Sequence, residues 1–119
     1  MTTISPTQEQ QIIDQVPKQL YIGGEWRDGG EGTLGVEDPS TGETLCEVAD
    51  ASADDATAAL DAAVEAGASF AEHPPRERGE ILRRAFEAIT ARSDELALLM
   101  TLEMGKPIAE SKADRKSVV

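Results

Sequence analysis

The fold is decided by a short stretch in the N-terminal half of the chain, DPSTGE at residues 38–43. Asp38 is an Asx-type residue that opens a turn, Pro39 fixes its own φ angle, and a glycine stands where a positive φ is needed. The flanking segments, 33–37 and 44–49, have the composition of short strands. This part of the chain is therefore predicted to form a β-hairpin, and further elements follow on both sides of it.

A second hairpin is predicted before this one. The segment 20–22 (LYI) predicts a short strand, the glycine pair after it predicts a tight turn, and 25–27 (EWR) predicts the returning strand. Residues 1–19 are mostly polar and are predicted to form a lead-in arm with one short helix, for which Thr7 is the expected N-terminal cap.

Helices are predicted after the second hairpin. Ser52 is the expected cap of the first helix, because its hydroxyl can accept backbone N–H groups and two aspartates follow. The pair Pro74-Pro75 ends this helix and places a proline in the first turn of the next, which runs to about residue 91. Ser93 is the expected cap of a third helix.

The third helix also has a clear end. Gly105 stands where a helix C-cap glycine belongs, and Pro107 blocks continuation and marks the start of a fourth helix.

The apolar faces of these helices have no obvious partner in the sequence. Ala56, Leu60 and Val64 recur at helical spacing in the first helix. The second helix has a similar apolar stripe, made up of Ile81, Leu82, Ala85, Phe86 and Ile89. A buried parallel strand reads as a run of about four to eight valine, isoleucine or leucine residues, and no such run occurs. The predicted class is α/β, with two hairpins followed by helices.

The balance of charge narrows the possible partners. The chain has 23 acidic and 11 basic residues, a net charge of −12, and such a field repels nucleic acids and anionic membrane surfaces. One cysteine, Cys46, excludes an internal disulfide framework. No stretch approaches the ~20 apolar residues of a membrane span, and no targeting segment is visible. A cytoplasmic protein without a nucleic-acid or membrane partner is expected.

The glycine pattern GEGTLG at residues 30–35 has the spelling of a dinucleotide-binding loop. Such a loop holds pyrophosphate only when a helix begins directly after it. Here Pro39 follows closely and disfavours a helix at Asp38, and the loop itself is acidic. A glycine-rich hairpin connection between strands is therefore predicted.

Three other candidates carry reactive or charged side chains. Cys46 lies in a predicted strand with neither a base nor a helix N-terminus nearby, so a small buried hydrophobe is predicted rather than a nucleophile. His73 is the only histidine and has no second ligand at metal spacing. The arginines of residues 76–84 are interleaved with glutamates, which predicts a charged helix face rather than a phosphate site.

From about Leu20 to Asp114 the sequence resembles the N-terminal part of the aldehyde dehydrogenase superfamily. Four phrases occur in the family's order: LYIGGEW at 20–26, DPSTGE at 38–43, the arginine-rich segment at 76–84 and LEMGKP at 102–107. The wording LEMGKPIAE at 102–110 is most similar to the succinate-semialdehyde dehydrogenase branch.

The resemblance implies a homo-oligomeric α/β enzyme with a Rossmann-like NAD(P) domain, a catalytic domain and an oligomerisation arm. Residues 20–114 would supply the outer hairpins and first helices of the cofactor domain, after the lead-in arm 1–19 and before an atypical tail at 115–119. The implied reaction oxidises a small aldehyde, here succinate semialdehyde, to the acid. A cysteine thiolate attacks the carbonyl, hydride passes to the nicotinamide, and a glutamate-activated water hydrolyses the thioester.

The catalytic and cofactor-binding residues of the family have no counterparts here, because they lie further along the family's sequence. Cys46 does not match the motif of the nucleophile. Some members bind a structural monovalent cation, and the matching positions are Val36, Glu37 and Glu103. Backbone carbonyls and a carboxylate suit a hard cation. The alternative is that no ion binds.

The chain departs from the family's pattern in two places. Asp38 stands where asparagine is commoner, which turn chemistry tolerates. After Asp114 the segment RKSVV is unlike the apolar, aromatic helix of the family, as in a truncated or frame-shifted record. The chain alone is therefore expected to bind no NAD(P) and to have no dehydrogenase activity. The alternative function is a non-catalytic module that docks on a full-length homologue.

Overall fold

The computed structural model describes residues 4–114, so the predicted tail at 115–119 lies outside the described residues. The elements are α1 (Pro6–Gln15), β1 (Leu20–Ile22), β2 (Glu25–Arg27), β3 (Thr33–Glu37), β4 (Thr44–Ala49), α2 (Ala53–Glu72), α3 (Pro75–Ala91), α4 (Ser93–Met104) and α5 (Ile108–Asp114). The strands form two two-stranded sheets, β1 with β2 and β3 with β4. The predicted α/β class and the predicted bounds of all four strands are confirmed.

The chain divides into two compact units. Within the described residues, the first unit comprises 4–17, 35–46 and 86–114, and the second comprises 18–34 and 47–85. In neither unit is any described helix long and apolar enough to cross a membrane.

The core of the first unit lies where α1 packs against α4. Ile13, Leu98 and Leu102 are each 7% exposed and contact one another. Helix α5 packs beside them on α4, and the hydroxyl of its buried Ser111 lies 3.0 Å from that of Thr101. This core holds the C-terminal end of α4 in place.

The second unit is organised by the β1–β2 hairpin and α2. Tyr21 pairs with Trp26 across the hairpin, and their ring centroids lie 4.7 Å apart. The connecting Gly23 and Gly24 have φ angles of 61° and 85°, which match the type of turn that follows the twist of a two-residue hairpin. Helix α2 packs on β1 next to this turn.

Two of the predicted helix caps are correct. Ser52 caps α2, and its hydroxyl accepts the N–H of Asp55 at 3.1 Å. Gly105 ends α4 with a φ of 79°, and its N–H donates to the carbonyl of Thr101.

The other two predicted caps are wrong. Helix α1 is capped by Ser5 rather than Thr7, because Pro6 takes the first helical position, where its missing N–H costs nothing. Helix α4 has Arg92 as its N-cap and no side-chain cap bond. Ser93 is already helical, because a single residue separates α3 from α4.

Candidate functional site

The turn at residues 38–43 lies against the C-terminal end of α4. A Cβ atom placed on Gly105 would lie 2.9 Å from Cγ of Pro39, which is closer than two carbon atoms normally approach. Glycine therefore lets the helix end and the turn meet. The structure thus brings together two of the four family-like phrases within the first unit.

Asp38 holds this turn together. Its Oδ1 accepts hydrogen bonds from the N–H of Ser40 at 2.8 Å and from the hydroxyl of Ser40 at 2.6 Å. Its own N–H donates to the carbonyl of Glu43 at 2.8 Å. The bonds from Ser40, the hydroxyl first, lower the pKa of the Asp38 carboxyl below its ordinary value, because they favour the charged form. The carboxylate is therefore engaged within the turn.

The three candidate cation ligands flank this contact. Val36 is half-buried and Glu37 is exposed at the end of β3, while Glu103 is exposed in the last turn of α4. Within residues 4–114, the side chains of Glu37 and Glu103 make neither an ion pair nor a hydrogen bond. The described residues contain no cluster of three His, Cys, Asp or Glu side chains that could hold a metal. A cation here would therefore depend on backbone carbonyls together with Glu103.

The electrostatics at the end of α4 favour a cation. The C-terminus of a helix carries partial negative charge on its free carbonyls, and the last turn of α4 has no basic residue. Lys106 follows the helix, but its ammonium pairs with the carboxylate of Asp114 in α5.

The glycine-rich segment 30–35 does not fit a dinucleotide. Strand β3 begins at Thr33, so no helix N-terminus follows the loop. The N–H of Gly30 donates to Oδ2 of Asp55 at 2.7 Å, and a Cβ on Gly30 would lie 2.6 Å from Oγ of Ser52. The Asp55 carboxylate and the Ser52 side chain therefore already occupy the space beside Gly30. This leaves no space there for pyrophosphate. The segment connects β2 with β3, so the prediction of a connection between strands is confirmed. The prediction of a hairpin is wrong, because β2 and β3 belong to different sheets.

Asp55 is the charged residue whose role sequence reasoning missed. Its carboxylate accepts the N–H of Gly30, the N–H of Ser52 at 2.9 Å and a guanidinium N–H of Arg27 at 3.2 Å. These bonds, the Gly30 N–H first, lower the pKa of Asp55 below its ordinary value. The sequence did indicate the bond between Asp55 and Ser52, because these two residues have the spacing of a capping box. It did not indicate that Asp55 also binds the glycine-rich loop.

The remaining candidates lie in β4, at the end of α2 and in α3. Cys46 is half-buried in β4 and packs at the edge of the apolar cluster around Leu98. His73 ends α2, and its Nδ1 lies 3.2 Å from a carboxylate oxygen of Glu77. In α3 the guanidinium of Arg83 pairs with Glu80 at 2.9 Å, as expected for a charged helix face.

The chain belongs to the aldehyde dehydrogenase family. The family's sequence profile, described as "Aldehyde dehydrogenase family", matches residues 26–119, which contain three of the four phrases in full. Similarity is also high to particular members. The chain is 57% identical over 70 residues to succinate-semialdehyde dehydrogenase of Paenarthrobacter nicotinovorans, a match covering 59% of this chain and 16% of that protein.

Two further relatives agree with this assignment. Succinate-semialdehyde dehydrogenase [NADP(+)] 1 of Schizosaccharomyces pombe is 38% identical over 103 residues, covering 86% of this chain and 21% of the relative. A solved structure of betaine aldehyde dehydrogenase from Staphylococcus aureus, in complex with NAD+, superposes with a TM-score of 0.89 at 27% identity, covering 94% of this chain and 23% of that one. The chain thus spans about a fifth of the length of the curated relatives it matches.

Proposed function

We propose that residues 1–119 belong to an NAD(P)-dependent aldehyde dehydrogenase that oxidises succinate semialdehyde to the acid. The observation that carries this proposal is the 57% identity over 70 residues to a succinate-semialdehyde dehydrogenase. The proposed enzyme is a cytoplasmic homo-oligomer, by analogy with the family that the sequence resembles.

In this proposal residues 20–114 form the outer hairpins and first helices of the cofactor domain, and residues 1–19 lead into it. The relatives support a nicotinamide cofactor, since one is named for NADP(+) and another is in complex with NAD+. When bound, that cofactor accepts hydride from the aldehyde carbon. The segment described here would support the cofactor domain from outside the dinucleotide site, because the loop at 30–35 does not fit pyrophosphate.

We propose that the 119-residue chain by itself has no dehydrogenase activity. Its single cysteine, Cys46, lies within a strand at the edge of an apolar cluster. A nucleophilic thiolate needs a base, a cation or a helix N-terminus beside it, and a strand position offers no helix N-terminus. The reacting groups would therefore come from other parts of the enzyme.

We propose in addition that the carbonyls of Val36 and Glu37 and the carboxylate of Glu103 hold a monovalent cation. The support is the steric contact between Pro39 and Gly105, which places the end of β3 beside the negative end of α4. Such an ion would link the hairpin turn to the helix and act structurally rather than in the reaction.

The test begins with the product of this gene purified from its native cells. Its intact mass is measured, and NAD(P)H formation with succinate semialdehyde is followed for this product and for the isolated 119-residue chain. We expect activity in a product several times heavier than 12.7 kDa and none in the isolated chain. A clear preference of the heavy product for betaine aldehyde would contradict the proposed substrate, and turnover by the isolated chain would contradict its proposed inactivity.

A further inference from the structure

The loop between β2 and β3 contains the one Asp-Gly pair of the sequence, Asp28-Gly29. Every other aspartate precedes a residue with a side chain, and at Asp38 that residue is proline, which has no N–H. Because glycine has no Cβ, its nitrogen can approach the carboxyl carbon of a preceding aspartate with little steric hindrance. This pair is therefore the place where a backbone nitrogen can most readily attack a side-chain carboxyl.

The packing of the second unit requires the glycine of this pair. A Cβ on Gly29 would stand 2.0 Å from the carbonyl oxygen of Asp50 and 2.8 Å from its nitrogen, so no larger residue fits. Asp28 itself is exposed, and its carboxylate accepts an N–H of the Gln19 amide at 2.9 Å. A hydrogen bond donated to this oxygen stabilises the negative charge that develops there during an attack on the carboxyl carbon. The fold thus keeps a water-accessible aspartate next to a glycine that cannot be replaced.

The folded loop restrains this attack without preventing it. Gly29 and Gly32 form a bridge, in which the N–H of Gly32 donates to the carbonyl of Gly29 at 3.1 Å. Attack by the Gly29 nitrogen requires the backbone at 28–29 to rotate, which opens this bridge. Gly30 and Glu31, between the two bridged residues, are exposed, and short exposed segments of this kind open locally at low cost in free energy. The attack is therefore expected from a locally opened loop and does not need the whole unit to unfold.

We propose that Asp28 converts spontaneously to isoaspartate in this protein. The nitrogen of Gly29 bonds to the carboxyl carbon Cγ of Asp28, and the hydroxyl of the protonated carboxyl leaves as water with the amide proton. Water then cleaves the resulting cyclic imide between its nitrogen and the original main-chain carbonyl carbon, so the chain runs through Cβ and Cγ. One water is released and one is consumed, so the conversion needs neither an oxidant nor a cofactor.

The conversion adds one carbon atom to the main chain where the loop has no room for it. Glu31 donates its N–H to the carbonyl of Asp50 at 3.1 Å, and Asp50 donates its own to the carbonyl of Gly32 at 2.9 Å. The N–H of Gly30 donates to the Asp55 carboxylate at 2.7 Å. A longer backbone before these bonds moves their donors and acceptors out of register, and close packing leaves no room for the shift. Isoaspartate is therefore expected to detach the loop from the start of α2 and to lower the stability of the second unit.

The test keeps the 119-residue chain at pH 7 for several weeks, with and without urea. Isoaspartate is measured with an isoaspartyl methyltransferase and labelled S-adenosylmethionine, and electron-transfer fragmentation of the peptides locates it. We expect most of the label at residue 28, formed more slowly in the folded chain than in urea. Asp28→Glu should remove this label, because glutamate must close a larger ring. Asp61→Glu, the same change at an exposed position in α2, should leave it.

The stability of the product provides a second measurement. The modified and unmodified chains are separated by ion-exchange or reversed-phase chromatography and refolded, and the modified chain should unfold at a lower urea concentration. An unchanged urea midpoint would show that the loop accommodates the extra carbon, contrary to the proposal.

Three further results would overturn the proposal. One is the absence of isoaspartate at residue 28 in the folded chain when the chain in urea accumulates it, because the loop would then block the attack. Another is equal rates with and without urea, which would contradict the restraint by the loop. The third is as much label at Asp61 as at Asp28. No measurement depends on aldehyde turnover, so these results are independent of the proposed function.

Discussion

Pro39 in the hairpin turn lies so close to Gly105 at the end of α4 that a Cβ at position 105 would come within 2.9 Å of the proline Cγ. Gly105 also has a φ of 79°, a conformation that side chains disfavour. Position 105 therefore requires glycine for two independent reasons. Glycine there allows the turn of the β3–β4 hairpin to pack against the end of α4, the helix that carries the core of the first unit.

Gly105→Ala is expected to destabilise the chain by more than the roughly 1–2 kcal/mol that a left-handed conformation costs a residue with a Cβ. The excess comes from the clash with Pro39. Gly42→Ala is the matched control, because Gly42 has a φ of 76° and no atom lies within 4 Å of where a Cβ on it would stand. Urea unfolding measures both, and equal losses would show that the contact with Pro39 contributes nothing.

Gly29→Ala is expected to destabilise the second unit by about 3 kcal/mol or more, because overpacking here would push backbone against backbone. A Cβ on Gly29 would stand 2.0 Å from the carbonyl oxygen of Asp50. Gly79→Ala provides the contrast, since Gly79 lies in α3 with open space around it and should gain about 0.5–1 kcal/mol. Thermal unfolding followed by circular dichroism compares the two, and a Gly29→Ala chain as stable as the original would refute this account.

Asp55→Asn is expected to lower stability at pH 7, with a difference from the original chain that shrinks in acid. The pKa of Asp55 is lowered in the folded chain, so its charged form stabilises the fold. This contribution is complete above the unfolded pKa of about 3.9 and is lost as the pH falls through the lower folded pKa. Urea midpoints at pH 7 and pH 3 measure it, with the exposed Asp61→Asn as control. A constant difference between the two pH values would count against the hydrogen-bonded carboxylate.

Cys46→Ala is expected to leave the dehydrogenase activity of the proposed enzyme within about twofold of its original value. The reason is that Cys46 packs in β4 at the edge of the apolar cluster, and we propose that it takes no part in the reaction. Initial rates with succinate semialdehyde provide the measurement. Removal of a true nucleophile costs roughly a thousandfold or more in kcat. A loss of that size would identify Cys46 as a reacting group and reverse its assignment.

Glu103→Gln is expected to remove a stabilisation of the chain by sodium or potassium ions. At a concentration about five times its Kd, a bound ion stabilises the folded state by about 1 kcal/mol. Unfolding in potassium chloride, sodium chloride and choline chloride at equal ionic strength separates binding from screening. Glu110→Gln, at an exposed position in α5, should keep the response. The absence of any difference between the salts in the original chain would mean that the site binds no ion.

Much of the fold could be predicted because its determinants are local. All four strands have the predicted bounds, since turn residues such as Gly23 and Pro39 restrict the backbone within a few positions. The caps of α1 and α4 were missed for a local reason as well. Because Pro6 takes the first helical position, the cap of α1 lies two residues before the predicted Thr7. Because only one residue separates α3 from α4, the cap of α4 lies one residue before the predicted Ser93.

The candidate site could be predicted only in part. Resemblance singled out Val36, Glu37 and Glu103, but it did not show that the elements bearing them meet through Pro39 and Gly105. The bonds of Asp55 to Gly30 and Arg27 were also invisible, because they join segments far apart in the sequence.

The sequence by itself determined the order of the elements, their class and the family, because turn chemistry, capping and helical periodicity act over a few neighbouring residues. Only the tertiary structure decided which faces meet. Periodicity marks Leu60 and Val64 as an apolar stripe, yet the hairpin packs on Ala62 and leaves that stripe open. A repeat of 3.6 residues defines the sides of a helix, whereas the choice of partner depends on close steric fit between distant segments.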